Sequence, residues 1–167
     1  MADHEALNEL AAAVVKDLTA SGKALATAES CTGGWVAKTI TDVPGSSACF
    51  GYGIVSYSNG AKESILGVSN QTLEENGSVS EPVVKEMAEG AANLSGADIA
   101  VAVSGIAGPD GGTDEKPVGT VWIAFAHRDH SKIKVDTELR NFDGDREAIR
   151  ELTVAYALRG VLERINP

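Results

Sequence analysis

The segment from Asp98 to Val103 (DIAVAV) constrains the fold more than any other part of this sequence. It is an uninterrupted apolar run of strand length, and a long segment rich in Gly and Pro follows it. Such a run is typical of a strand that is buried on both faces. Helices packed on the two sides of a sheet provide that burial, so the chain should contain helices as well as further strands.

Helical and strand patterns alternate along the rest of the chain. Apolar residues at helical spacing predict helices in segments 7–18, 35–40, 61–66, 82–95 and 144–165. Alternating or β-branched runs predict strands in segments 23–28, 49–57, 98–103, 119–126 and 132–139. This order predicts an α/β protein, a three-layer α/β/α sandwich with a mixed β-sheet. The last two strands should form an antiparallel hairpin, and residues 1–167 should form a single domain.

The balance of charges bears on possible partners. Lys and Arg total 14, Asp and Glu total 24, and the formal net charge is −10. We expect no nucleic-acid binding, because that function needs a basic face. No apolar run approaches the roughly 20 residues of a membrane helix, and the acidic N-terminal segment does not resemble a signal peptide. These features predict a cytoplasmic protein that contacts neither nucleic acid nor membrane.

A strand-to-helix junction at residues 28–34 (AESCTGG) is the first candidate site. Glycines allow the backbone to approach a ligand closely, and a helix start leaves N–H groups without partners. A hydroxyl at Ser30 could attack a carbonyl carbon while N–H groups around Thr32, Gly33 and Gly34 hold the oxyanion. The same residue types also form ordinary turns and helix caps, so the spacing alone allows both interpretations.

A nucleophilic Ser30 needs a base, and Lys62 and Tyr57 are the candidates. Both lie where the second predicted strand passes into a helix, at the same kind of edge as Ser30. A desolvated lysine can lose its proton and serve as a base, and a tyrosine hydroxyl can relay that proton. The alternatives are a solvated helical lysine and an ordinary strand aromatic.

Other nucleophiles, bases and metal ligands receive less support. Cys31 is intrinsically a better nucleophile than serine, but no His accompanies it, which favours a small buried residue. His4, His127 and His130 belong to no motif with Ser30, and we expect them on the surface. No spacing of His and carboxylate residues indicates a metal site, and we expect no cofactor.

Two further segments could bind an anion. The loop that begins at Ser104 and Gly105 leaves the buried strand and can present backbone N–H groups. Arg146 stands at a predicted helix start, where its guanidinium and the helix dipole could both meet a phosphate. Arg146 could equally form a surface ion pair with Asp143 or Glu147.

Seven segments taken together resemble one known family, the CinA C-terminal domain family. The resemblance runs from about residue 5 to residue 163 and is closest to the family's single-domain nicotinamide-nucleotide amidases. The segments are 27–34 (TAESCTGG), 44–47 (PGSS), 55–59 (VSYSN) with Lys62, 79–83 (VSEPV), 104–112 (SGIAGPDGG), 116–121 (KPVGTV) and 144–146 (GDR).

The resemblance implies hydrolysis of the carboxamide of nicotinamide mononucleotide to nicotinate mononucleotide and ammonia, in pyridine-nucleotide salvage. It implies a Ser acyl-enzyme with Ser30, Tyr57 and Lys62 as the catalytic set, no metal, and a homo-oligomer. The resemblance also implies that the substrate phosphate is held by Arg146 and by the backbone groups of Ser46, Ser47, Ser104 and Gly105.

Two other functions remain open at this point. The family also carries the label of competence- and damage-inducible proteins, which would suit a non-catalytic partner protein. An amidase for another small pyridine amide is the second alternative. Release of ammonia from nicotinamide mononucleotide separates these possibilities.

Overall fold

The computed structural model describes residues 4–167 and contains one five-stranded sheet. The strands are β1 (Leu25–Glu29), β2 (Phe50–Val55), β3 (Ile99–Gly105), β4 (Thr120–Asp129) and β5 (Lys132–Asn141). The helices are α1 (His4–Ser21), α2 (Trp35–Thr41), α3 (Asn59–Leu66), α4 (Asn70–Asn76), α5 (Glu81–Ser95) and α6 (Arg146–Ile165). A short 3-10 turn at Ser46–Ala48 precedes β2.

The sheet is mixed, with the strand order β2-β1-β3-β4-β5. Strand β1 is parallel to both β2 and β3, whereas β4 is antiparallel to β3 and to β5. Helices α1, α2 and α6 cover one face of the sheet, the α6 face, and α3, α4 and α5 cover the other, the α5 face. The predicted three-layer α/β/α sandwich with a mixed sheet is therefore confirmed.

The alternation of side chains in the strands explains the two helical layers. In β3, Ile99, Val101 and Val103 pack on the α6 face, while Ala100 and Ala102 pack on the α5 face. The strand is buried on both sides, as its apolar sequence predicts. Six alanines of the three central strands line the α5 face, at positions 26, 28, 100, 102, 124 and 126. Small side chains let α5 approach the sheet closely.

The boundaries of several elements differ from the sequence prediction. Strand β3 extends to Gly105, so Ser104 and Gly105 belong to the strand and not to the loop after it. Strands β4 and β5 each have ten residues and form the expected antiparallel hairpin. Within residues 4–167, no helix combines the length and the apolar character that crossing a membrane requires.

Candidate active site

The carboxyl ends of β1 and β3 define the candidate active site. The two strands are neighbours, but β1 connects to β2 on one side and β3 connects to β4 on the other. Connections that diverge in this way leave a crevice at the carboxyl edge of a sheet, where ligands bind in open α/β proteins. Ser30 follows β1, and Ser104 and Gly105 end β3, so all three lie at this crevice.

Lys62 and Ser30 are in direct contact. The Nζ atom of Lys62 lies 2.9 Å from Oγ of Ser30. Helix α3 positions the lysine, because it begins just after β2 and Ser58 caps it by accepting a hydrogen bond from the N–H of Ala61. Only 1% of Lys62 is exposed, so the alternative of a solvated lysine does not apply.

The surroundings of Lys62 favour the neutral amine. Its Nζ also lies 2.9 Å from the carbonyl oxygen of Ser56 and 3.2 Å from that of Tyr57. Burial lowers the pKa of Lys62 below its usual value of 10.5. A neutral amine has two N–H groups and one lone pair. Since carbonyls can only accept, they take both N–H groups and leave the lone pair directed at the hydroxyl of Ser30.

The carboxylate of Glu29 occupies the start of helix α2. One of its oxygens accepts hydrogen bonds from the Thr32 hydroxyl at 2.6 Å and from the Val36 N–H at 2.8 Å. The other accepts from the Ala37 N–H at 3.1 Å. Burial nevertheless raises the pKa of Glu29, while these hydrogen bonds oppose that rise. The N–H groups of the first turn of α2 are therefore already satisfied within the protein.

The three residues predicted to hold the oxyanion line a different cavity from the one that Ser30 lines. Thr32, Gly33 and Gly34 line a cavity of about 360 Å³ together with Trp35 and Lys38. Gly33 and Gly34 have φ of 60° and 101°, a left-handed backbone that allows the sharp turn into α2. Thr32 binds Glu29 through its hydroxyl and the two glycines shape the turn, so the role of the backbone N–H groups of these residues in holding an oxyanion stays a prediction.

The cavity that Ser30 does line is small, with a volume of about 170 Å³. Sequence reasoning placed Ser104, Gly105, Tyr57 and Arg146 beside Ser30, and the structure brings these residues together. The wall of the cavity consists of Ser30, Cys31, Tyr57, Ser78, Val79, Ser104, Gly105, Ala107 and Arg146. Ser78 and Val79 were not predicted. The hydroxyl of Ser104 donates to the carbonyl of Ser78 at 2.8 Å, which joins the two walls.

Tyr57 and Arg146 close one side of the cavity. A guanidinium nitrogen of Arg146 donates to the Tyr57 hydroxyl at 3.1 Å, and another donates to the carbonyl of Gly108 at 2.6 Å. The hydrogen bonds of residues 4–167 include none from the phenol of Tyr57 to Ser30 or Lys62. Lys62 thus reaches Ser30 without a tyrosine relay, and the Tyr57 side chain forms part of the entrance.

Arg150 is a further site residue that sequence reasoning missed. It lies one turn after Arg146 on α6 and donates to the carbonyls of Cys31 and Thr32 at 3.1 and 3.2 Å. Its guanidinium also stacks over Trp35. The spacing of four residues between the two arginines was the available signal, because it places both on one helix face. Arg146 and Arg150 also line an adjoining cavity of about 560 Å³.

Cys31 is not suited to nucleophilic attack. Burial raises the pKa of its thiol to about 12, so the reactive thiolate is scarce at neutral pH. This agrees with the sequence interpretation of a small buried residue. Among residues 4–167, no three His, Cys, Asp or Glu side chains come together as a metal site would require.

Ser46 and Ser47 lie at the wrong end of the sheet to join this site within one chain. The N–H of Leu25, at the start of β1, donates to the carbonyl of Cys49, so the turn at Ser46–Ala48 adjoins the amino end of β1. Ser30 follows the opposite end, roughly 16 Å away along five strand residues. The predicted place of Ser46 and Ser47 beside Ser30 is thereby corrected for a single copy.

The comparisons with known proteins agree with this architecture. The family model of the CinA C-terminal domain matches residues 7–165. The chain belongs to the CinA C-terminal domain family. Nicotinamide-nucleotide amidohydrolase PncC of Escherichia coli strain K12 is 55% identical over 159 residues, which are 95% of this chain and 94% of that protein. The CinA-like protein of Geobacter sulfurreducens is 49% identical over 95% of this chain and 37% of its own length.

Solved structures of family members share the whole fold. Competence damage-inducible protein A (ComA) from Klebsiella pneumoniae matches with a TM-score of 0.90 and 42% identity, covering 95% of this chain and 96% of that chain. Competence/damage inducible protein CihA from Agrobacterium tumefaciens matches with a TM-score of 0.89 and 43% identity, covering 96% of each chain.

Proposed function

We propose that this chain is a nicotinamide-nucleotide amidohydrolase. It would hydrolyse the carboxamide of nicotinamide mononucleotide to nicotinate mononucleotide and ammonia, as a step of pyridine-nucleotide salvage. The relative from Escherichia coli bears that name and aligns over nearly the full length of both chains. The observation that carries the proposal is the 2.9 Å contact between a buried lysine amine, Lys62, and the hydroxyl of Ser30.

In the proposed acylation step, Ser30 attacks the carboxamide carbon. The neutral amine of Lys62 takes the hydroxyl proton as the new C–O bond forms, and the carbonyl oxygen becomes an oxyanion. When the tetrahedral intermediate collapses, the C–N bond breaks. The ammonium of Lys62 returns the proton to the leaving nitrogen, which departs as ammonia, and an ester to Ser30 remains.

Water completes the proposed cycle. Lys62 takes a proton from the water as its oxygen attacks the ester carbon. The second tetrahedral intermediate then expels Oγ of Ser30, which recovers its proton from Lys62. The carboxylic acid product loses its proton to solvent, so the enzyme returns to its starting state with no net proton held.

For the oxyanion we infer donors other than the start of α2. Glu29 satisfies the N–H groups of Val36 and Ala37, which removes them from consideration. The N–H of Ile106 donates to β4, so strand alternation directs the N–H of the preceding Gly105 toward Ser30. We propose that Gly105, with the N–H of Cys31 after the nucleophile, holds the oxyanion.

The two adjoining cavities suit the two parts of the substrate. The 170 Å³ cavity at Ser30 would hold the pyridinium carboxamide, and the 560 Å³ cavity would take the ribose and phosphate. Arg146 lines both, so its guanidinium can reach the phosphate with the bidentate geometry that arginine favours. The 560 Å³ cavity also contains Gly144 and Asp145 at the start of α6.

The test of this function is release of ammonia from nicotinamide mononucleotide by the purified protein without added metal. We expect Ser30→Ala to lower kcat by at least about 10³-fold, because it removes the attacking atom. Cys31→Ala is the matched control and should keep kcat within a few-fold. Wild-type turnover in Ser30→Ala would refute the mechanism, and loss only in Cys31→Ala would transfer the role to cysteine.

The wild-type result also separates the alternative functions. Turnover of another pyridine amide in preference to nicotinamide mononucleotide would leave an amidase of different specificity. No turnover of any pyridine amide would favour a non-catalytic partner protein. We further propose that the protein acts in the cytoplasm, in line with its two buried free cysteines, Cys31 and Cys49. We also propose that it forms a homo-oligomer, as its resemblance to the family implies.

A further inference from the structure

Three serines stand side by side at the carboxyl edge of the sheet. Ser56, Ser30 and Ser104 each follow immediately on a mutually paired residue of β2, β1 and β3. The ladder continues through Ser30, whose N–H donates to the carbonyl of Val103. It also continues through Ser56, whose N–H donates to the carbonyl of Glu29. Neighbouring strands lie about 4.8 Å apart, so the nucleophile has a serine close by on each side.

Only one of these two neighbours faces the substrate cavity. The alanines two residues earlier in β1 and β3 pack on the α5 face, so alternation directs the side chains of Ser30 and Ser104 to that face as well. Lys62 reaches Ser30 from α3, a helix of the same face. The described wall of the 170 Å³ cavity includes Ser104 but not Ser56. Ser104 is therefore the hydroxyl beside a group that Ser30 attacks.

The hydroxyl of Ser104 has a fixed direction. It donates to the carbonyl of Ser78 at 2.8 Å, and a carbonyl can only accept, so the hydrogen points at Ser78. Ser104 is only 1% exposed, and its side chain makes no second hydrogen bond within residues 4–167. The lone pairs of its oxygen remain free. Ser104 thus presents an acceptor to the cavity and no donor.

The other polar side chains of the cavity do not have this property. The guanidinium of Arg146 can only donate. The hydroxyl of Tyr57 accepts from Arg146 and can still turn its own hydrogen. The hydroxyl of Ser78 makes no hydrogen bond within the described residues and can rotate to donate or to accept. Ser104 is therefore the side chain that can distinguish a donor from an acceptor on the substrate.

We propose that Ser104 selects carboxamides, because its oxygen accepts one N–H of the scissile amide. This inference rests on the proposed function, in which a carboxamide lies at Ser30. The carbonyl oxygen is held by the backbone N–H groups of Gly105 and Cys31, which lie in the plane of the sheet. The amide nitrogen then lies toward the α5 face, where the side chains of both Ser104 and Lys62 are found.

The proposed contact fits the acylation step without altering its proton balance. As the carboxamide carbon becomes tetrahedral, its nitrogen regains a lone pair, which faces the ammonium of Lys62. One N–H of the same nitrogen stays on Ser104. Lys62 supplies the proton with which ammonia departs, and no proton passes to or from Ser104. Ser104 is thus a residue that binds and orients the leaving group.

The same acceptor disfavours the product. A carboxylate offers only lone pairs, and at this position they face the lone pairs of Ser104. Turning the Ser104 hydrogen toward the carboxylate would leave the buried carbonyl of Ser78 without its partner, which carries a cost. The site therefore distinguishes an amide from the acid that it becomes.

An ester substrate tests the proposal. The methyl ester of nicotinate mononucleotide has the same acyl group, but its leaving group has no N–H. We expect Ser104→Ala to lower kcat/KM for nicotinamide mononucleotide by about 10–10²-fold and for the ester by less than about three-fold. The parameter kcat/KM includes the steps up to loss of the leaving group, so it compares acylation of the enzyme by the two substrates.

Two further variants separate recognition from a structural effect. Ser104→Cys keeps the size of the side chain, and its sulfur is a weak acceptor, so it should show the same selective loss for the amide. Ser95→Ala removes a hydroxyl that donates to the carbonyl of Ala91 at the far end of α5. It is the matched control and should leave both rates within about two-fold. Equal losses for amide and ester in folded Ser104→Ala and Ser104→Cys, as thermal unfolding checks, would overturn the proposal.

Product inhibition provides an independent measurement. If the oxygen of Ser104 faces the carboxylate with lone pairs, Ser104→Ala should bind nicotinate mononucleotide at least as tightly as the wild type does. Its inhibition constant should therefore stay equal or fall. A rise in this constant would show that the hydroxyl donates to the product, and it would refute a fixed acceptor.

Nicotinamide riboside distinguishes the carboxamide from the phosphate as the partner of Ser104. The riboside lacks the phosphate, so the proposal predicts that Ser104→Ala lowers kcat/KM for it by the same factor as for the nucleotide. A loss confined to the nucleotide would assign the hydroxyl to the phosphate and overturn the proposal. A wild type that hydrolyses neither amide nor ester would refute the proposed function itself. An active wild type with equal losses for amide and ester would refute only the role of Ser104.

Discussion

Lys62 is a buried lysine without a carboxylate partner. It is among the largest fully buried side chains of residues 4–167, and none of the ion pairs in that range involves it. An unpaired charge in such a place is costly, so the group shifts its pKa instead of remaining charged. The same burial that disfavours the ammonium form makes the amine available to Ser30.

The first prediction concerns the pH dependence of turnover. Burial lowers the pKa of Lys62, so its protonated, inactive form dominates only below that lowered value. We expect kcat/KM to rise with pH through this pKa and to level off before pH 10.5, the ordinary value of lysine. Lys62→Arg should lower kcat/KM by about 10²-fold or more, because a guanidinium stays charged and cannot accept the proton of Ser30. A rate that falls over the same range as pH rises would contradict a lysine base.

The residues of the site differ in how far the sequence indicates them. Ser30 and Lys62 could be named because a hydroxyl and an amine follow neighbouring strands. Glu29 could not, since a carboxylate inside a buried strand gives no sign that it turns to cap the next helix. Arg150 lies 118 residues from Thr32, whose carbonyl it binds, and only the tertiary fold brings the two together.

At the scale of elements, the start of α2 depends on Glu29. This carboxylate satisfies helix N–H groups that would otherwise be buried without partners, and it fixes the loop that carries Ser30. Gly34 at the helix start makes no side-chain cap. The position of the nucleophile is thus tied to a hydrogen-bonding group on the strand before it.

The second prediction is that Glu29→Gln lowers both stability and kcat. The amide NH₂ replaces one acceptor oxygen and faces a backbone N–H, so we expect a loss of about 1–3 kcal/mol in the free energy of unfolding. Asp42→Asn, the control, removes an exposed ion pair with Lys38 and should change the free energy of unfolding by less than about 1 kcal/mol. Urea denaturation measures the free energy of unfolding of both variants, and release of ammonia measures kcat. Equal stability of Glu29→Gln and wild type would refute the capping role.

The third prediction concerns the contact between α3 and α5. A β-carbon on Gly90 would lie 1.9 Å from the carbonyl oxygen of Leu66, which is backbone and cannot rotate away. Gly90→Ala should therefore destabilise the protein by at least about 2 kcal/mol, despite the better helix propensity of alanine. Gly60→Ala, also in a helix but without a close contact, is the control and should be neutral or stabilising.

Thermal denaturation compares the stability of Gly90→Ala with that of Gly60→Ala. A Gly90→Ala protein as stable as Gly60→Ala would mean that α3 and α5 are not packed as described. Lys62 lies on α3, so a shift of this helix should also reduce turnover. The sequence indicates a helix on each side of this contact but not that the two helices meet at Gly90, because a glycine within a helical pattern does not reveal its neighbour.

For the molecule as a whole, the local patterns predict the class of fold better than its arrangement. Strand and helix order led to the correct three-layer architecture, because alternating elements leave few ways to bury a sheet. The order of strands in the sheet was not predicted. That order decides which loops share an edge, and this is why Ser46 and Ser47 were assigned to a site that they cannot reach within one chain.

The last prediction concerns the effect of salt on substrate capture. At neutral pH, nicotinamide mononucleotide carries about one net negative charge, from a phosphate of about −2 and a pyridinium of +1. A chain with a net charge of −10 repels it at long range, whereas Arg146 attracts its phosphate only at close range. Raising ionic strength from about 0.01 M to 0.15 M shortens the Debye length from about 30 Å to 8 Å and screens mainly the long-range repulsion.

We therefore expect kcat/KM for nicotinamide mononucleotide to rise with potassium chloride over this range. Nicotinamide riboside lacks the phosphate and keeps the positive pyridinium, so its kcat/KM should fall as the attraction is screened. Arg146→Ala should raise KM for the nucleotide far more than for the riboside, because only the nucleotide offers the guanidinium a partner. Salt slopes of the same sign for both substrates would show that the local cationic site, and not the net charge, governs the approach of the nucleotide.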